Sequence, residues 1–127
     1  MFEQLIQYQN YGFLILRLAI AVIFIYHAIP KLKNPQGMAG AIGWRPWKVK
    51  LLGLVEFFPA LALILGIYIQ FAALLLAVVM IGALYFKISK WQVPFSAQDK
   101  MGWEFDLILL AANIMIILSG AGAFKLW

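Results

Sequence analysis

Cysteine is absent from this sequence of 127 residues. Disulfides, thiolate nucleophiles, iron–sulfur clusters and cysteine-ligated zinc are therefore excluded. Histidine occurs once, at His27. One ring cannot make a bis-histidine haem or a histidine-cluster metal centre, so no metal site and no intrinsic cofactor are expected. Charge is scarce as well. Asp, Glu, Lys and Arg make up 12% of the chain, against an ordinary share of about 25%. The apolar share is 65%, and a soluble domain this small has too much surface per volume to bury that. Composition excludes a soluble globular domain, a disordered tail and a nucleic-acid module. The length suits a single domain over 1–127.

What is present is four long apolar runs. Gly12 to Pro30 is broken only by Arg17 and His27, and Leu51 to Tyr68 only by Glu56. Phe71 to Phe86 has no charge, and Phe105 to Gly122 carries Asp106 near its start and Asn113 inside. Each approaches the ~20 residues that a helix needs to cross ~30 Å of hydrocarbon. In lipid the backbone must satisfy its own hydrogen bonds, and the runs do not alternate as barrel strands would. The expectation is an all-α membrane protein, a four-helix transmembrane bundle with spans at about 12–30, 50–68, 70–88 and 104–121. The acidic leader of the first run, with Glu3 and no base, does not read as a signal peptide.

The loops 31–50 and 87–103 would then share one side. They hold Lys31, Lys33, Arg45, Lys48, Lys50, Lys87, Lys90 and Lys100, while the opposite side has Lys125. This bias places both loops in the cytoplasm and both termini outside, and the expected location is the cytoplasmic (inner) membrane of a prokaryote. Trp44, Trp47, Trp91 and Trp103 lie in or beside those loops and Trp127 ends the chain, as expected of indoles in the headgroup layer. The segment from Gly37 to Trp44 reads as a Gly-rich loop, with a shallow re-entrant piece as the other reading.

Charged groups inside a span cost about 2.5–3.5 kcal/mol each on insertion scales, so each marks a candidate site. Counting ~1.5 Å per residue, His27 and Glu56 fall at the same depth on antiparallel neighbours. They are expected to share a proton or hold a quinone carbonyl, or else to clamp two helices. Lys31, Glu104 and Asp106 would join them in one polar cluster near the lysine-rich end. Arg17 would snorkel outward, or bond helix-end carbonyls or Ser119. Asn113 would bond across helices. Pro59 would kink the second span near the polar layer. The halves also rhyme: Gly53-Leu-Val-Glu56 and Gly102-Trp-Glu104-Phe-Asp106 each open a helix after a basic, Pro- and Trp-bearing loop.

The run from Arg17 through Phe24, His27 and Lys31 to Leu32 resembles the DoxX family of small four-helix membrane proteins. So do Gly53-Leu-Val-Glu56, Gly66, the Glu104 region and the Ser119-Gly120-Ala-Gly122 close. Where the family often has glycines after the second-helix glutamate, this chain has Phe58-Pro59. Arg17, His27, Lys31, Glu56 and Glu104 match family positions. The resemblance implies a subunit associated with quinone-linked oxidation, as in thiosulfate:quinone oxidoreductase components. The broader group is also similar to membrane chaperones and cargo receptors. The expected function is an accessory or quinone-interacting subunit of a membrane oxidoreductase, not catalytic alone. Its partners would be the lipid bilayer and other membrane or membrane-associated subunits, with a homo-oligomer left open. An assembly protein without redox chemistry and a small transporter or proton-conducting oligomer are the alternatives.

Overall fold

The computed structural model describes residues 1–120 and 122–126. The span end expected at 121 and the tryptophan at 127 lie outside them. The described residues are all helical or irregular. A 3-10 turn over Glu3–Tyr8 leads into α1, Gln9–Lys33. Then come α2, Pro35–Ile42; α3, Pro46–Leu65; α4, Ile69–Tyr85, continued by a π-turn over Phe86–Lys90; and α5, Trp103–Ser119. The long helices follow one another around a ring: α1 on α3, α3 on α4, α4 on α5, and α5 back on α1.

Each boundary has a local cause. Pro35 and Pro46 sit at the first turns of α2 and α3, where a missing N–H costs nothing and φ is already helical. Gly43 and Gly66 end these helices at φ 77° and 80°, a left-handed geometry that glycine adopts without a Cβ penalty. Gly66 is needed twice over. A Cβ there would stand 2.8 Å from the Lys125 backbone, because Leu126 N donates to Gly66 O at 2.9 Å.

Three sequence expectations change. The Gly37–Trp44 segment is not a loop, since α2 occupies most of it, with Ala39 buried. Its glycines still allow a helix because Pro35 starts it and Gly43 stops it. Pro30 does not end the first helix, which runs on to Lys33. The second span stops at Leu65, not at 68. Two segments, Glu3–Lys33 and Ile69–Lys90, are long and apolar enough to cross a membrane. Of the other two, α5 has 17 residues, and the 20 residues of α3 include Lys48, Lys50 and Glu56.

Inside the ring, Ile20, Ala21 and Phe24 meet Ala60, Leu63, Leu76, Leu109 and Ile116. Large apolar side chains also point outward, among them Ile15, Val22, Phe71, Ile108 and Leu118. Arg17 is 1% exposed, so it does not snorkel. Of the two other partners expected for it, the helix-end carbonyls are the ones it takes. Its Nε and Nη2 donate to Leu63 O at 3.2 and 3.0 Å, and Nη1 donates to Phe124 O. Leu63 lies in the last turn of α3, whose carbonyls have no intrahelical donor. The guanidinium thus seals a helix end and fastens the tail after α5, which Asn10 also holds through Ala123 N at 3.0 Å.

Arg17→Met should leave those buried acceptors short of donors, at about 1–3 kcal/mol for each group. The expected outcome is a lower thermal midpoint in detergent, together with faster trypsin cleavage after Lys125.

Candidate functional site

At the end of the ring away from the tail, the packing opens into a cavity of about 720 Å³. Three local features build it. First, α1 and α3 approach so closely that a Cβ on Gly53 would stand 2.9 Å from Lys31 Cβ. Glu56 lies one turn further along the same face of α3. Lys31 Nζ donates to Glu56 Oε1 at 2.8 Å and to Oε2 at 2.6 Å.

Second, the chain before α5 folds back over its N-terminus. Trp103 N donates to Pro94 O at 3.2 Å and Glu104 N to Phe95 O at 3.0 Å. A Cβ on Gly102 would stand 2.2 Å from Phe95 O, so this turn requires glycine. The cap turns Asp106 inward, where it is 3% exposed. Asp106 Oδ2 meets Lys87 Nζ at 2.7 Å as an ion pair, without hydrogen-bond geometry. Third, the π-turn carrying Lys87 is held by Trp91 N donating to Phe86 O at 2.8 Å. Phe86 packs against Trp44 and Trp91, with ring centroids 5.5 and 5.6 Å apart.

The two ion pairs follow one plan. In each half of the chain, a lysine at the end of one long helix meets a carboxylate on the next, at mid-helix for Glu56 and in the first turn for Asp106. The rhyme between halves is therefore Lys31–Glu56 with Lys87–Asp106. His27 lies at the cavity wall with them, half-buried, its ring 5.4 Å from Phe105 and 5.5 Å from Tyr26.

The expected His27–Glu56 hydrogen bond is absent among the described residues. Lys31 occupies both oxygens of Glu56, because a lysine stem of four carbons reaches a full turn and its ammonium carries the stronger charge. Glu104 does not join the cluster. It is exposed, and Asp106, two residues on, takes the opposite side of α5. Asn113 is buried, but its Nδ2 donates to Leu109 O of its own helix at 2.8 Å, and its Oδ1 has no partner among the described residues. Pro59 is buried inside α3 and has no N–H for the carbonyl one turn back.

Lys87 was readable only as a loop cation, yet it extends the stripe Leu76, Met80, Ala83 on α4. Likewise Asp106 shares the 3-4-3 stripe of Leu109, Asn113 and Ile116 on α5. That spacing is the signal that separates Asp106 from Glu104.

Electrically the site is balanced. Two ammonium groups face two carboxylates, and apart from His27 and Asn34 the remaining wall is mostly apolar, including Ile23, Phe24, Leu52, Val79 and Leu109. Lysine offers only donors, while Asp106 retains acceptor capacity. The arrangement suits an uncharged ligand with an apolar body and a carbonyl or hydroxyl head.

The sequence model of the family described as DoxX matches residues 12–88, which include Arg17, His27, Lys31, Glu56 and Lys87. The chain is 32% identical over 124 residues to a Haemophilus influenzae protein named "Uncharacterized protein", covering 94% of this chain and 91% of that one. It is 26% identical over 113 residues to "Putative oxidoreductase CatD" of Bacillus subtilis, covering 87% and 80%. No solved structure matches.

Removing one partner of a buried pair strands the other charge. Lys31→Met is expected to cost about 3–5 kcal/mol in stability. Adding Glu56→Leu to it should recover most of that loss, as read by denaturant unfolding of the detergent-solubilised protein.

Proposed function

The chain belongs to the DoxX family, and on that premise we propose that it is a four-crossing membrane protein serving as a quinone-interacting accessory subunit of a membrane oxidoreductase. The cavity carries this reading: a quinone is an uncharged ring with two carbonyl acceptors, and the wall offers lysine donors beside apolar side chains. The two apolar helices of spanning length and the outward-facing Ile, Val, Phe and Leu side chains support a lipid environment. α3 crosses with its lysines at the rim and Glu56 neutralised by Lys31. α5 crosses with its carboxylates in the first turn.

The lysine-rich end faces the cytoplasm in this reading, with both termini outside. Lys33, Arg45, Lys48, Lys50, Lys90 and Lys100 are all exposed there. The name of the Bacillus subtilis relative fits redox chemistry. Without cysteine and with one histidine, this chain has no ligand set for a cysteine-bound cluster or a bis-histidine haem. The electrons therefore pass through a partner subunit, and this chain's part is to hold the quinone at the membrane rim.

The test is gentle detergent extraction from native membranes followed by mass spectrometry of the organic extract and of co-purifying chains. Quinone at a fixed ratio to the protein is expected. The Lys31→Met/Glu56→Leu variant, once its unfolding midpoint shows that it is folded, should retain about tenfold less, corresponding to about 1.4 kcal/mol of binding. A fixed-ratio protein partner with no quinone would leave an assembly protein instead.

A further inference from the structure

The cavity wall reaches the surface at the lysine-rich rim, where Asn34, Gly37, Trp91 and Met101 line it and are exposed, and separately in the middle of α4. Val78 lines the cavity and is nevertheless 58% exposed. It sits roughly half-way along α4, about 14 Å from the helix start at ~1.5 Å per residue. The cavity continues from Val78 through Gly82 to Phe86, a stripe at i, i+4, i+8 on one flank of the helix. The flank facing α5 is a different one. It is marked by Gln70, whose Nε2 donates to Ile117 O at 2.6 Å, and by Ala77 and Leu84 at i+7 and i+14 from it. From α3, Leu52 and Glu56 line the same cavity. This second opening therefore lies between the inner halves of α3 and α4.

Gly82 is the informative residue. A glycine inside a helix costs about 1 kcal/mol relative to alanine. In membrane helices it is commonly placed where two backbones meet. Gly53 is such a case, but Gly82 is not: a Cβ added there would find nothing within 4 Å. Gly82 keeps a space open at the mouth, and none of the described residues packs into that space. Below it, Trp44 packed on Phe86 separates the gap from the rim, and above it α3 and α4 are joined by the turn at 66–68. The gap is a side window bounded at both ends.

We propose that the Val78–Gly82 window is a lateral portal, through which the cavity receives a ligand from the lipid phase and in which that ligand's hydrocarbon tail lies. This rests on the reading of the chain as membrane-spanning and names the ligand class more narrowly. The ligand is a tailed molecule with an uncharged polar head. The head lies among Lys31, Glu56, Lys87 and Asp106, and the tail leaves past Val78 into the acyl chains.

The cysteine-free chain makes the test direct. Ile23→Cys places one thiol on the α1 wall of the cavity. In liposomes, a maleimide with a long alkyl tail should label that thiol, and faster than a charged, water-soluble maleimide does. Adding Gly82→Leu puts a side chain into the window, where a Cβ meets nothing within 4 Å, and it should slow labelling by the alkyl reagent about tenfold. Gly82→Ala should give a smaller slowing. Because leucine is the better helix former, the thermal midpoint of Gly82→Leu should not fall. If it does fall, Val78→Trp, at an exposed position, plugs the same window and should slow labelling in the same way. An unchanged rate with the plug that keeps its fold, no labelling by the alkyl reagent, or a water-borne reagent that labels as fast would each overturn the portal. No quinone is used, so a failure to find quinone with the purified protein leaves this result standing.

Discussion

A carboxylate removed from water must take a cation with it, and this constraint shapes the lysine-rich end of the molecule. Glu56 and Asp106 are each about 3% exposed. An unpaired ion in such surroundings would cost several kcal/mol. Each therefore has a lysine brought in from a helix next to its own. The features around them serve that meeting. Gly53 lets α1 and α3 close to contact, the 94–95 carbonyls fix where α5 begins, and the π-turn swings Lys87 over the cavity. Pairing removes the net charge and keeps polarity at the cavity wall.

The opposite end is built differently. There a cation pairs with backbone, not with a carboxylate: Arg17 joins the last turn of α3 to the tail after α5. The tail fills the place beside Gly66 that a side chain would otherwise take. One end of the ring is thus closed by main-chain hydrogen bonds. The other end holds a space whose walls are set by side chains.

Hydropathy made the long elements legible, and Arg17, Ala21, Phe24 and Ala28 fall on one buried stripe. The ends set by Pro46 and Gly66 were not legible, because the apolar run begins after the one and continues past the other. Partner choice was less legible, for physical reasons. Depth counting compares Cα levels, but a lysine acts more than a turn from its Cα, so Lys31 reached Glu56 where His27 was expected. Glu104 and Asp106 look alike in composition. Only the 3-4-3 stripe through Leu109, Asn113 and Ile116 tells which one faces inward. The folding of α2 depended on caps that a glycine-rich composition obscured. The window at Gly82 could not be read at all, since the sequence does not say whether a glycine is small to admit a neighbour or to leave a gap.

The fastening of the tail also imposes an order on assembly. Phe124 and Leu126 follow α5 in the chain, yet their backbone groups close contacts with Arg17 on α1 and with the turn after α3. During synthesis all four long helices are translated before those groups exist. The α3–α4 hairpin must therefore wait, with its Gly66 carbonyl unclaimed by Leu126, until the stretch after α5 has been made. Locking of the fold is a late event, set by residues translated after the whole ring.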